Sequence, residues 1–404
     1  MLPRQKGGQV HRKEAGSRIV NILSGLLAVS GVSFPTGRKT WYGLPEWTAI
    51  LIEMCNKRTA AEAAAKNPGA SKRMPTGRWF RDAMHAVCPN RAEAFCGEMP
   101  GHTVHLAKKA GMRGGGDVPV ATDKHLIPRF DAGSMLFPVF AARKNGTNRF
   151  EACAAMQVVA GPVNAVLDCI KFTRGMDNVD FVRRFVHILD RYGIRPRLMP
   201  VDREFFAVDI MLALNGLGRR FLMPATKTPG IKRAIPEHHR GRRAAVSPYV
   251  MRNATGQSVT YRLAIQKVKR WSEVGDYEPE KRGGKKRTRD QKIMEMYVVF
   301  ATNLAAARVR REMRKLPEDY RRRRGIETGY RQIEEVRPWT TSRDLAFRLM
   351  LFYTSLFMHN MWSIERRREG ADPADITLAS LVHVATLIIS CNIAGVPFDP
   401  GGSD

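Results

Sequence analysis

The sequence predicts an α/β fold preceded by a helical N-terminal region. Between residues 118 and 301, short apolar runs of strand length alternate with amphipathic stretches of helical period. The 44% apolar and 26% charged content is that of a globular chain, and 404 residues suffice for two or three domains with buried cores.

The elements follow in order. Residues 1–44 are basic, punctuated by glycine and without a stable period, and read as an N-terminal arm. Within them the apolar run Ile19–Phe34 lacks a small-x-small cleavage site, so it is not read as a signal peptide. Residues 45–112 read as helical. Thr59 and Glu62 have capping-box spacing, Asn67-Pro68-Gly69 marks a turn, and Pro75-Thr76 opens a second helix bearing Arg78, Trp79, Arg81 and His85. Two short helices joined in this way form a candidate helix-turn-helix, and equally a packing module. After Gly114-Gly115-Gly116, Val118–Thr122 reads as a strand ending in Asp123, and Arg149–Ala160 as another. Val179–Tyr192 reads as a helix, Arg197–Val201 as a strand ending in Asp202, Ala207–Leu217 as a helix and Arg220–Ala225 as a strand.

Residues 226–292 interrupt this alternation with 18 Lys+Arg against 6 Asp+Glu. They hold a strand-like stretch over Val250–Val268 and the loop Lys281–Asp290, which includes Lys285, Lys286 and Arg287. Met296–Ala301 resumes a strand, Pro317 opens a helix, and Thr341 with Asp344 caps the next. Leu345–Trp362 and Ile376–Phe398 are long and apolar but interrupted by polar groups, among them Arg348, His359, Asn360 and His383. They read as buried core helices rather than membrane spans. The six cysteines form no CxxC pair and read as thiols in a reducing compartment.

The net charge of +29 calls for a polyanionic partner, nucleic acid or an anionic membrane. It is unevenly spread. Residues 371–404 contain four acids and no Lys or Arg, so positions 1–370 carry +33. The interrupting segment supplies +12, and Arg321–Arg324 form a further basic run.

Against this background the acids at strand ends stand out. Carboxylates at the ends of neighbouring strands, as expected for Asp123 and Asp202, converge and repel unless a cation lies between them. Hard oxygen donors suit Mg²⁺ or Mn²⁺, and a third acid on a nearby helix completes a two-metal site for phosphodiester chemistry. Glu327 is the candidate. Counting from Tyr320, offsets of 3, 7, 11 and 14 give Arg323, Glu327, Arg331 and Glu334, which place all five on one helical face. The alternative is a solvated helix in which Glu327 pairs with Arg323 and Arg331. No G-x-S-x-G and no P-loop is present.

The segment YRRRRGIETGYRQIEE from Tyr320 resembles the signature of DDE transposases, and more narrowly that of insertion-sequence family four. VATDKHLIP around Asp123 resembles that family's first-acid motif, and VDREFF around Asp202 its second. FLMPATK from Phe221, VVFATN from Val298 and RPWTTSRDLAFRLMLFY from Arg337 are also similar, so the likeness runs through residues 115–365 in order. Two positions depart from the usual pattern: Glu334 where a Lys is common, and Glu204 where a small residue is common.

The resemblance implies a ribonuclease H-like mixed sheet with helices on both faces, formed by residues 113–225 and 293–370. A β-rich insertion over 226–292 precedes the last catalytic helix, and residues 371–404 form a C-terminal helical segment and tail. It implies that Asp123, Asp202 and Glu327 are catalytic and hold two Mg²⁺ (or Mn²⁺) ions. Tyr320 and Arg323 would contact phosphate, with Arg331 or Arg337 supplying the contact that Glu334 does not. Lys285, Lys286 and Arg287 would meet DNA, and Trp271 would stack on a flipped base or else serve as a core tryptophan. The implied activity is cut-and-paste transposition on double-stranded DNA, both element ends and target, by a homodimer in the cytoplasm at the nucleoid, with no membrane partner. A degenerate transposase that only binds DNA, and a ribonuclease H-like nuclease without strand transfer, are the alternatives.

Overall fold

The structure is a computed structural model that describes residues 4–31, 42–66, 74–87, 89–116, 118–129, 138–144, 146–159, 161, 163–172, 176–239, 244–269, 288–369 and 376–398. It begins with five helices: α1 (Arg4–Val29), α2 (Leu44–Lys57), α3 (Ala61–Ala64), α4 (Gly77–His85) and α5 (Pro89–Lys109). α1 corrects the expectation of an N-terminal arm. Ala15, Ile19, Leu23 and Leu27 recur every fourth residue and are all fully buried, a stripe that the surrounding basic residues obscure. The expected cap at Thr59 is also corrected: α3 starts from Ala60 without a side-chain cap, and Glu62 is drawn off into an ion pair with Arg81. α4 starts where expected, with the Thr76 hydroxyl accepting from the Trp79 amide at 3.2 Å. Gly77 lets the two helices touch, because a Cβ there would lie 2.2 Å from the Glu62 Cα.

The α/β part follows: β1 (Gly115–Gly116), β2 (Val120–Arg129), β3 (Pro138–Lys144), β4 (Thr147–Val158), β5 (Val166–Lys171), α6 (Asn178–Arg191), β6 (Arg195–Pro196), β7 (Met199–Pro200), α7 (Val208–Gly216) and β8 (Phe221–Pro224). Then come α8 (Pro229–His239), β9 (Ala244–Arg252), β10 (Ser258–Lys267), α9 (Arg289–Met296) and β11 (Tyr297–Thr302). The chain ends with α10 (Ala306–Glu312), α11 (Leu316–Arg321), α12 (Gly325–Glu335), α13 (Leu345–Glu369) and α14 (Leu378–Ala394).

The strands form a mixed α/β architecture. β4 is central to one sheet, antiparallel to β2 on one side and to β3 and β5 on the other. A second sheet runs β7-β8-β11-β10-β9, with β7 and β8 parallel and the remainder antiparallel. β2 lies against β7, so the two sheets meet where Asp123 and Asp202 sit. β1 and β6 form a separate two-residue parallel pair. The segment 226–292 is less purely β than expected: α8 and α9 bracket the β9–β10 hairpin, which extends the second sheet through β11.

The two apolar C-terminal stretches are helices of the core. α13 buries Phe352, Tyr353, Phe357, Met358 and Met361, and with them Thr354, Ser355, His359, Asn360 and Glu365. These polar groups find partners inside the core. Asn360 receives the Val166 amide at 2.7 Å, and the Glu365 carboxylate takes two hydrogen bonds from Arg18 of α1. Gly16 allows α1 to cross α14 closely, since a Cβ there would lie 2.7 Å from Ile388. Among the described residues, no helix is long and apolar enough to cross a membrane.

Candidate active site

Asp123, expected at a strand end, lies inside β2, opposite Ala155 of β4, and the strand continues to Arg129. The apolar β4 supplies ten consecutive partners, and this pairing carries β2 past the acid. Asp202 does follow its strand: it comes two residues after β7 and caps the 3₁₀ turn Arg203–Phe205 by accepting from the Arg203 amide. Both carboxylates are about 30% exposed.

Between them lies Arg323. Its Nη2 donates to the Asp202 carboxylate and reaches Asp123 Oδ1 at 3.4 Å. The side chain is only 8% exposed, and its Nε finds no acceptor among the described residues. One guanidinium thus bridges both carboxylates and offsets one of their two charges.

The helix carrying Arg323 departs from the expected single face. Arg322–Arg324 tighten into a 3₁₀ turn between α11 and α12. Three residues at ~120° each instead of ~100° rotate the downstream helix by roughly 60°. Tyr320 and Arg323 therefore face inward, whereas Glu327 and Arg331 are exposed. Arg323 pairs with the aspartates and not with Glu327, so the ion-paired solvated helix is not formed. Glu327 has no hydrogen bond or ion pair among the described residues, and no group of three His, Cys, Asp or Glu side chains there is placed to hold a metal ion.

The docking of α12 is tight. An added Cβ at Gly325 would lie 2.7 Å from the Val159 carbonyl oxygen, and one at Gly329 would lie 2.1 Å from Gln157 Oε1. Ile326 fills a small cluster with Ala121 and Val159. Tyr330 fixes the height: its hydroxyl donates to the Asp123 carbonyl at 2.6 Å and accepts from the Ala155 amide at 2.9 Å. Burial raises the Tyr330 phenol far above its ordinary value, so it stays neutral. Sequence reasoning misses Gly325, Gly329 and Tyr330, although the Gly-x-x-x-Gly spacing around Glu327 is a signal for close helix packing.

Tyr320 packs its ring 5.5 Å from that of Phe300. Its phenol is raised above the ordinary value, first by burial, then by the Asp202 and Asp123 charges against the opposing effect of Arg323 and Arg203. Arg331 is exposed and unpaired among the described residues. Arg337 pairs with Glu334 at 2.6 Å, so the unexpected acid of this helix is neutralised locally. Trp271, Lys285, Lys286 and Arg287 lie outside the described residues.

No protein-family model matches the sequence, and no curated protein matches it. Among solved structures, the fold is similar to that of a piggyBac transposase determined by cryo-electron microscopy as a synaptic complex with hairpin DNA. The TM-score is 0.55 over 94% of this chain and 78% of that one, at 10% sequence identity. At that identity the likeness is one of fold, and it spans the helical N-terminal region as well as the sheets.

Proposed function

We propose that this chain is a DDE-type transposase that cuts DNA at the ends of a mobile element and joins the freed ends to target DNA. The observation that carries the reading is the meeting of Asp123 and Asp202 under Arg323, side chains from three separate elements brought to one partly exposed spot. The fold likeness to a transposase solved with DNA supports it, as does the positive charge concentrated in positions 1–370.

The donor set fits a divalent cation. Two adjacent carboxylates with hard oxygens already share a cationic group, and Asp123 and Asp202 would hold Mg²⁺ or Mn²⁺; Glu327, exposed one turn beyond Arg323, stands apart from them, and a two-ion site requires it to join them. Such ions, when bound, activate the attacking oxygen and stabilise the leaving one. The chain's own residues do the rest. Asp123 is held by the β2–β4 ladder and by Tyr330, and Asp202 by its 3₁₀ cap. Arg323 keeps a buried Nε without an acceptor among the described residues, and a guanidinium that opened toward DNA would suit bidentate contact with a phosphate. Arg331 offers an exposed cation one turn beyond Glu327. Double-stranded DNA, both element ends and target, is the proposed partner, with a homodimer as the assembled form in the cytoplasm at the nucleoid. A ribonuclease H-like relation of the sheets, and membership of insertion-sequence family four, belong to the same reading.

A second reading, a chain that binds DNA without cutting it, is favoured by the exposed Glu327 standing apart from the aspartates. One experiment separates the two. Labelled DNA carrying the element's terminal repeats is incubated with the protein and Mg²⁺ or Mn²⁺. Nicking at the element end, followed by joining to a second duplex and lost in Asp202→Ala and Glu327→Ala, is the expected result. A gel shift without a nick in either metal assigns the chain to the second reading.

A further inference from the structure

Among the residues whose side chains are described, Trp339 is the one Phe, Tyr or Trp that stands exposed, at 60%. Trp47 and Trp362 are buried, and Trp79 packs against Trp47 and Tyr42. The exposure of Trp339 does not come from a loose loop. Pro338 before it is buried. Beyond it, the Ser342 amide donates to Thr340 Oγ1 at 3.0 Å, Ser342 Oγ meets His85 Nε2 at 2.7 Å, and Asp344 caps α13 by accepting from the Phe347 amide at 2.6 Å. The turn is thus pinned on both sides and holds an indole out in water, at an unrecovered cost in apolar area.

Its surroundings are those of a nucleic-acid surface. The same segment and α4 border an open cleft of about 540 Å³ whose lining includes Arg81, His85 and Arg343. Of the nearby acids, Glu62 and Asp82 pair with Arg81, Glu334 with Arg337, and Asp344 is used as a cap, which leaves Glu335 exposed and, among the described residues, Arg343 as the unpaired arginine of the cleft. Arg331 and Arg343 are exposed and unpaired among the described residues. Glu327 is followed by helix to the end of α12 at Glu335, and four further residues reach Trp339, so the two Cα atoms lie within ~26 Å of each other.

We infer that Trp339 is a stacking platform for an unpaired base of DNA whose backbone runs along Arg331, Arg343 and the cleft beside α4. An indole accepts any base face, and flanking cations hold the strand without reading sequence. The inference rests on the DNA-binding part of the reading above and not on cleavage, so it is tested in chelator, where no cutting occurs.

The full-length protein is titrated with a blunt duplex and with the same duplex carrying a short single-stranded extension that contains 2-aminopurine. Trp339→Ala weakens binding of the extended DNA by roughly tenfold, leaves the blunt duplex unchanged and abolishes the fluorescence quenching, while Trp339→Phe keeps the quenching. Equal binding by wild type and Trp339→Ala overturns the proposal, as does equal loss on both DNAs or a Phe variant that behaves like Ala. A Trp339→Ala protein that binds DNA normally but changes its oligomeric state, read by sedimentation, also overturns it and makes the turn a protein interface.

Discussion

Arg323 and Asp202, 121 positions apart, form a buried-to-surface ion pair that draws Asp123 into its reach at 3.4 Å. Carboxylates this close need positive charge between them, and a divalent cation would have to displace or share that place. Substituting Arg323→Gln removes the guanidinium and keeps a hydrogen-bonding side chain. The variant is expected to bind Mn²⁺ roughly tenfold more tightly than wild type in the absence of DNA, because a resident unit charge is gone. Titration calorimetry reads this directly, and unchanged or weaker Mn²⁺ binding would count against the site.

Gly325 meets backbone, not a movable side chain: its Cβ would lie 2.7 Å from the Val159 oxygen. Gly→Ala inside a helix ordinarily stabilises by ~1 kcal/mol. Here the sign should reverse, with Gly325→Ala losing about 1–3 kcal/mol in denaturant unfolding as α12 is pushed from the sheet.

The Tyr330 hydroxyl satisfies a carbonyl of β2 and an amide of β4 together. Tyr330→Phe orphans both groups and is expected to cost about 1–3 kcal/mol. The backbone of Asp123 is one of the two groups, so DNA nicking should fall along with stability. Thermal unfolding and the nicking assay on one preparation check both.

Burial pushes the Asp168 carboxyl up to about 6, against the favourable Cys169 amide and the Arg191 and Lys171 charges. A carboxyl whose proton is held more tightly in the folded state loses stability as pH rises from about 4 through 6, and the full penalty is present at neutral pH. Asp168→Asn keeps an oxygen for the Cys169 amide, which now binds Oδ1 at 2.7 Å. The variant should be more stable than wild type by about 1–3 kcal/mol at pH 7.5 and show no advantage at pH 4. Urea unfolding at both pH values tests this, and His359, held down to about 4 by burial, titrates alike in both proteins and cancels.

Arg18 gives the fully buried Glu365 two hydrogen bonds and fastens α1 to α13, while Arg368 approaches the same carboxylate at 3.4 Å. Arg18→Met leaves the carboxylate with the weaker partner alone and should cost on the order of 3 kcal/mol. Denaturant unfolding of Arg18→Met indistinguishable from wild type would show that α1 is held by its apolar stripe alone.

Features that are local or repetitive could be read from the residues alone. The periods of β4, α6, α7 and β8, the start of α4 at Thr76 and the burial of the two apolar C-terminal stretches are each written in a few neighbouring residues, whereas β5 is not read from the sequence. The charge excess and the order of Asp123, Asp202 and Arg323 are legible in the same way. Helix α1 is written in the fourfold spacing of Ala15 to Leu27, but the basic residues between them mask it. Tertiary structure decides the rest. Only sheet pairing sets β2 beside β7 and carries β2 beyond Asp123. Only the 3₁₀ turn at Arg322–Arg324, pressed between α11 and an α12 seated on β4, turns Arg323 onto two aspartates and Glu327 away from it. The physical reason is range: helical period follows from i to i+4 geometry, whereas the direction of one guanidinium depends on contacts that two glycines and a tyrosine of α12 make with β2, β4 and the turn after β4, all far away in the chain.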